Sequence, residues 1–219
     1  MKAFILLLVS GTVMLAQAPP PAPAAAPTGN LMNPSTLNAQ APDVYRVKFT
    51  TTHGDFVVEV HRAWAPVGAD RFYNLVVNNF FNGAAFFRYV PGFIVQFGLP
   101  ANPAIGRVWQ SANIKDDPVK QSNHRGTLTF ATAGPGTRTT QLFINLNDNG
   151  PLDGQGFAPF GTVVSGMNVV EGLYSGYGEK PDQGRITAQG KAYIDQSFPK
   201  LDSIKSATIV EVPEGKKKK

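Results

Sequence analysis

Apolar and polar residues alternate from Val44 to Thr51, with Tyr45, Val47 and Phe49 opposed to Val44, Arg46 and Lys48. A period of two marks a half-buried β-strand. After His53-Gly54-Asp55 a second β-prone run, Phe56 to His61, predicts a hairpin that turns at Gly54 and Asp55. From Pro66 the spacing changes. Phe72, Leu75, Val76 and Phe80 recur at i, i+3, i+4 and i+8, which predicts an amphipathic helix opened by Pro66 and ended around Asn78, Asn79 and Asn82-Gly83. Short β-prone runs then alternate with Gly and Pro turns: Phe86 to Tyr89, Phe93 to Phe97, Thr127 to Ala131, Leu142 to Asn145 and Phe160 to Val164. A second helix fits Asn168 to Tyr174, an extra helix fits residues 185–198 before Pro199, and Ala207 to Val212 reads as a last strand. Many short strands with an early helix predict a mainly β barrel or sandwich.

The two ends follow another logic. Lys2, the apolar run Ala3 to Ala16 and the small residues of Ala16-Gln17-Ala18 predict a signal peptide over residues 1–18. The run falls short of the roughly 20 residues that span a bilayer, so no stable membrane insertion is expected once it is removed. Residues 19–42, rich in Pro and Ala, read as a disordered linker, residues 43–213 as the domain and residues 214–219 as a basic tail. The expected location is exported, periplasmic or secreted. The chain holds no cysteine, which excludes disulfides, thiolate chemistry and a lipidated cysteine. Its net charge of +5 vanishes once Lys2 and the four terminal lysines are set aside, and a neutral body argues against nucleic acid as partner.

Common catalytic signatures are missing, and His53, His61 and His124 lack ligand spacing, so neither a metal nor a cofactor is expected. Two segments stand out: Phe86-Phe87-Arg88-Tyr89-Val90-Pro91-Gly92-Phe93-Ile94-Val95-Gln96, and Phe130-Ala131-Thr132-Ala133-Gly134 through Gln141-Leu142-Phe143-Ile144. An Arg and two Gln interleaved with aromatic and aliphatic residues suit a shallow apolar site for a ligand carrying an amide. They read equally as ordinary core with a surface cation at a strand end.

At these residues the sequence resembles the cyclophilin family, over nearly all of residues 43–213. The first segment is similar to the family's Phe-His-Arg-x-x-Pro-Gly-Phe-x-x-Gln signature and the second to its next one. Leu152-Asp153-Gly154, Phe160-Gly161-Thr162-Val163 and Gly166-Met167-Asn168-Val169-Val170 match further on. The resemblance implies a closed eight-stranded antiparallel barrel capped by two helices, with 185–198 as an extra helical insertion. It implies a monomeric peptidyl-prolyl cis/trans isomerase that assists the folding of exported, proline-containing polypeptides. Arg88 would be the catalytic cation. Phe93, Ile94, Phe143 and Leu152 would line the proline pocket, Gln96 and Gln141 would orient backbone groups, and Ala131 would sit beside them. Phe87, Thr132, Pro151 and Phe157 depart from the pattern, with Phe87, Thr132 and Phe157 still counted among the substrate-binding residues. Those departures motivate the rival reading, a proline-peptide binding module with little or no turnover.

Overall fold

The computed structural model describes residues 29–211; the expected signal peptide, the first part of the expected linker and the basic tail lie outside them. Eight strands form one antiparallel sheet: β1 (Val44–Thr51), β2 (Asp55–His61), β3 (Arg88–Val90), β4 (Ile94–Phe97), β5 (Thr127–Phe130), β6 (Leu142–Asn145), β7 (Pro159–Ser165) and β8 (Ile204–Glu211). Their order is β3-β4-β6-β5-β7-β2-β1-β8. The alternation in β1 and β2 sends Tyr45, Val47, Phe49, Phe56, Val58 and Val60 inward, where all are buried. Phe49 stacks on Phe56 at 4.7 Å and meets Phe97 at 5.8 Å, while Phe160 packs on Phe72 at 5.3 Å and on Phe130 at 5.2 Å. The interior is filled with rings, a large hydrophobic payload that excludes a ligand-holding lumen.

The expected closed barrel is corrected to a curled, open sheet with β3 and β8 at its edges. Between them stands a single isolated bridge, Ala85 to Ser203, flanked by the Gly83 N–H on the Ile204 carbonyl at 2.7 Å and the Phe86 N–H on the Asp202 carbonyl at 3.0 Å. Closure stops there for a local reason. β3 has three residues, and the N–H of its middle one, Tyr89, donates to the Gly178 carbonyl at 3.1 Å.

Among the described residues five α-helices replace the expected two and an insertion. α1 (Pro66–Val77) buries Phe72, Leu75 and Val76 and has no side-chain cap of its own; the buried Asp117 carboxylate instead accepts from the Val67 and Gly68 N–H groups at 3.0 and 2.9 Å. α2 (Pro103–Trp109) was not expected. It has no apolar period, only an Asn102 cap, Pro103 at the first turn and a buried Trp109 that packs on Phe80 and donates to the Leu31 carbonyl at 2.7 Å. α3 (Met167–Gly172) stands near the predicted second helix. The predicted helix over 185–198 divides into α4 (Gln183–Gln189) and α5 (Lys191–Ser197) at Gly190, whose φ of 62° and ψ of −143° no helix accommodates.

Residues 29–42, the described part of the expected linker, are bonded to the rest of the domain. Asp70 and Asn74 on α1 and Asn78 at its C-cap lie at i, i+4 and i+8 and bind the preceding segment by its backbone: Asp70 accepts from the Ala41 N–H at 2.9 Å, Asn74 from Ala39 at 3.1 Å and Asn78 from Gly29 at 3.0 Å. Leu37 and Ala41 are buried. A segment held by main-chain bonds shows no hydrophobic period, which is why composition alone read it as loose.

Candidate active site

Strands β3 to β6 have two faces to fill. Val95, Phe97, Leu142 and Ile144 belong to the main core, so the intervening residues face outward: Ile94 and Gln96 on β4, Phe143 on β6, with Gln141 just before it. Arg88 lies opposite Gln96 in the β3–β4 register, and Gln96 lies opposite Phe143 in the β4–β6 register. Pro91 and Gly92 make the turn between β3 and β4. Gly92 has a φ of 69° and the Phe93 N–H closes back on the Val90 carbonyl at 3.0 Å, which places Phe93 at the rim.

These side chains surround a cavity of about 150 Å³ lined by Arg88, Phe93, Ile94, Gln96, Ala131, Thr132, Phe143, Leu152 and Phe157. Phe143 meets Phe157 edge to face at 5.6 Å. A run of polar groups crosses one side: the Arg88 Nη1 donates to Gln96 Oε1 at 3.2 Å, and the Gln96 Nε2 donates to Gln141 Oε1 at 2.7 Å. Gln141 itself lines an adjoining, more polar hollow of about 610 Å³, together with Gln96, Gln110, Asn113, Thr139 and Gln183. Thr132 turns its hydroxyl into its own loop, where it contacts the Gly134 carbonyl and, at 2.8 Å, the Thr137 hydroxyl.

Leu152 and Phe157 come from a 3-10 turn over Gly150–Gln155 and the residues after it. Asp153 anchors that turn: Oδ1 accepts from the Asn123 N–H and Nδ2 at 2.9 and 2.7 Å, and Oδ2 accepts from the Ser122 hydroxyl at 2.5 Å. Partial burial pushes the Asp153 carboxyl upward, but the hydrogen bonds from Ser122 and Asn123 outweigh it and hold it below the usual carboxylate range. Its anchoring is therefore complete above the ordinary carboxylate value and disappears as pH falls through the lowered one. Asp153→Ala should weaken binding of a proline peptide at neutral pH by about fivefold, and the difference from wild type should persist through the ordinary carboxylate range and shrink only below it, read by titration of intrinsic fluorescence. Equal affinities at neutral pH would show that the turn does not need this anchor.

Phe87 is corrected. Its side chain is 1% exposed and packs away from the cavity, with Ala85, Leu99, Ile186, Tyr193 and Ile194 in a second apolar cluster. Being adjacent to Arg88 it points elsewhere, and the helices α4 and α5 supply its partners. A residue absent from the sequence reading joins the site instead. Glu179, in the loop between α3 and α4, accepts through Oε1 from the Arg88 Nε at 2.6 Å and Nη2 at 2.5 Å. With the two 91 positions apart in sequence, no local pattern could announce it.

Comparison with known proteins bears on the same region. The cyclophilin type peptidyl-prolyl cis-trans isomerase/CLD family matches residues 46–191. A peptidyl-prolyl cis-trans isomerase of Acinetobacter baylyi is 37% identical over 131 residues, covering 57% of this chain and 69% of that protein. Peptidyl-prolyl cis-trans isomerase B of Escherichia coli is 33% identical over 175 residues, covering 75% of this chain and 99% of that protein. In fold, the crystal structure of a Cryptosporidium parvum cyclophilin type isomerase superposes with a TM-score of 0.58 at 21% identity, covering 78% of this chain and 99% of that one.

Proposed function

This chain belongs to the cyclophilin-type peptidyl-prolyl cis-trans isomerase family, and from that premise we propose that it isomerises X-Pro bonds in exported polypeptides at the Arg88 cavity and so assists their folding. It is an enzyme acting on proline-containing chains; the site, the compartment and the folding role are the proposal. One observation carries the site: a guanidinium lines the same small cavity as Phe93, Ile94, Phe143, Leu152 and Phe157.

The chemistry follows from the amide. Delocalisation of the nitrogen lone pair into the carbonyl sets a barrier of roughly 18–20 kcal/mol, and tens to hundreds of seconds pass between crossings. As the bond twists, the proline nitrogen pyramidalises and regains a lone pair. A hydrogen bond from Arg88 to that nitrogen is stronger in the twisted state than in either planar isomer, and only such a difference accelerates the reaction. A charge-assisted hydrogen bond contributes about 1.5–3 kcal/mol. The rest of the acceleration comes from seating the proline ring against the apolar wall, with little water, while the preceding carbonyl turns. Gln96 and Gln141, linked to each other and to Arg88, offer amide groups to the substrate backbone.

Support for export lies in the N-terminal pattern of Lys2, the apolar run and Ala16-Gln17-Ala18. The test expresses the full chain in a Gram-negative host. The periplasm should hold a product shortened at its N-terminus by mass spectrometry, and that product should hasten the proline-limited refolding phase of an added client. An uncleaved cytoplasmic product would overturn export, and an unaltered refolding phase would overturn the folding role.

A further inference from the structure

Three consecutive residues at the start of β3 are held by the segment between α3 and β8. The Phe87 side chain is buried against Ile186, Tyr193 and Ile194; the Tyr89 N–H donates to the Gly178 carbonyl; and Arg88, between them, pairs with Glu179. We propose that Glu179 is a positioning residue for Arg88, delivered to the active site by this segment; the inference rests on Arg88 being the group that acts on the proline nitrogen.

The argument starts from the donors. A guanidinium has five N–H groups in a planar fork. One oxygen of Glu179 takes the pair on its side edge, Nε and Nη2, while Gln96 takes one proton of Nη1. All three nitrogens are thus engaged, the plane is fixed from both flanks, and one proton on each terminal nitrogen is left over. Without Glu179 only the 3.2 Å contact with Gln96 would restrain a side chain that is 27% exposed on a three-residue edge strand. A long cation so placed samples many rotamers, and one that must meet a transient lone pair loses rate with each of them.

Glu179 is itself 60% exposed, so its hold must come from its backbone rather than from burial. That backbone is fixed. Gly178, at a φ of 56°, is bound to β3 through its carbonyl, and Tyr177 packs edge to face on Tyr174 at 5.0 Å and on Phe198 at 5.1 Å. Phe87 seats the same segment from the other side. The aromatic residue beside Arg88 and the carboxylate upon it are parts of one device.

The experiment uses the full chain and a short peptide with a single X-Pro bond, followed by NMR exchange at saturation and by peptide affinity. Glu179→Ala should slow saturated exchange by about three- to fivefold with peptide affinity within about twofold. Glu179→Gln, which keeps an acceptor oxygen, should lose less. Raising salt from roughly 0.05 to 0.5 M should slow wild type more than Glu179→Ala, because the screened contact is then the one removed. In an Arg88→Ala background the second substitution should have no effect. Exchange in Glu179→Ala as fast as in wild type, or a loss confined to affinity, or an equal loss in the Arg88→Ala background, would each overturn the positioning role. If Arg88→Ala alone exchanges like wild type, the reading of Arg88 falls and this inference with it; if Arg88→Ala is slow while Glu179→Ala is not, only this inference falls.

Discussion

Arg88→Lys should slow the isomerisation of a proline peptide by about ten- to a hundredfold in a protease-coupled assay, with peptide affinity little changed. The charge survives this substitution, so a purely electrostatic role would leave the rate close to wild type. What disappears is the fork. An ammonium has no planar edge to share between Glu179 and Gln96 while presenting a further proton to the cavity, and its shorter reach gives up one of the three contacts. The apolar wall of Phe93, Ile94, Phe143 and Leu152 is untouched, which is why binding should persist. Turnover equal to wild type would remove Arg88 from the proposed chemistry.

The largest effect on stability is expected from Asp117→Ala, at about 3–5 kcal/mol, a fall in melting temperature of roughly 6–20 °C. Asp117 and Arg138 have side chains only 2% and 3% exposed, and Asp117 Oδ2 accepts from both terminal nitrogens of Arg138 at 3.1 Å. The same carboxylate caps α1 through Val67 and Gly68. Removing it leaves a buried cation with the half-exposed Asp116, the Lys115 carbonyl and the face of the Phe130 ring, and it orphans two helix N–H groups as well. The neighbourhood already strains to hold positive charge: burial, and then the nearby Arg138, push the Arg71 guanidinium down to about 10. Asp117→Asn, which keeps an acceptor, should lie between alanine and wild type. Urea unfolding measures both, and a loss under about 1 kcal/mol for alanine would mean that the network relaxes freely. Because Thr137 and Thr139 flank Arg138 and line the polar hollow beside the cavity, Asp117→Ala should also reduce activity at temperatures where it remains folded.

What the sequence disclosed depended on how far a signal reaches along the chain. Strand positions were legible because inward rings such as Phe49, Phe56 and Phe97 alternate locally with other residues, whereas Arg88, Phe93, Ile94 and Gln96, though they stand within one hairpin, read equally as core with a surface cation until the family resemblance grouped them. The closed barrel was what the resemblance implied; the sheet stays open where β3 is only three residues long and its Tyr89 amide bonds to Gly178, a backbone contact that no side-chain pattern records. Phe87 was placed in the groove by its neighbour's role, although adjacency in extended backbone sends it the other way. The segment before Asp43 looked structureless because its partners, Asp70 and Asn74 on α1 and Asn78 at its C-cap, act on its main chain. Glu179 and the division at Gly190 likewise belong to tertiary contacts that composition does not carry.

The bond from Tyr89 to Gly178 has a further consequence for an enzyme that acts on proline-containing polypeptides. Arg88 stands on β3, an outermost strand of the sheet, so an extended chain docked at the proposed site would lie beside that edge with amides of its own to satisfy. A bare rim there would invite the visitor to zip on as a ninth strand and stay. With the Tyr89 amide of that short strand already bonded to Gly178, the edge offers a passing chain no free ladder there, and a substrate held only at its proline would be released after each turnover.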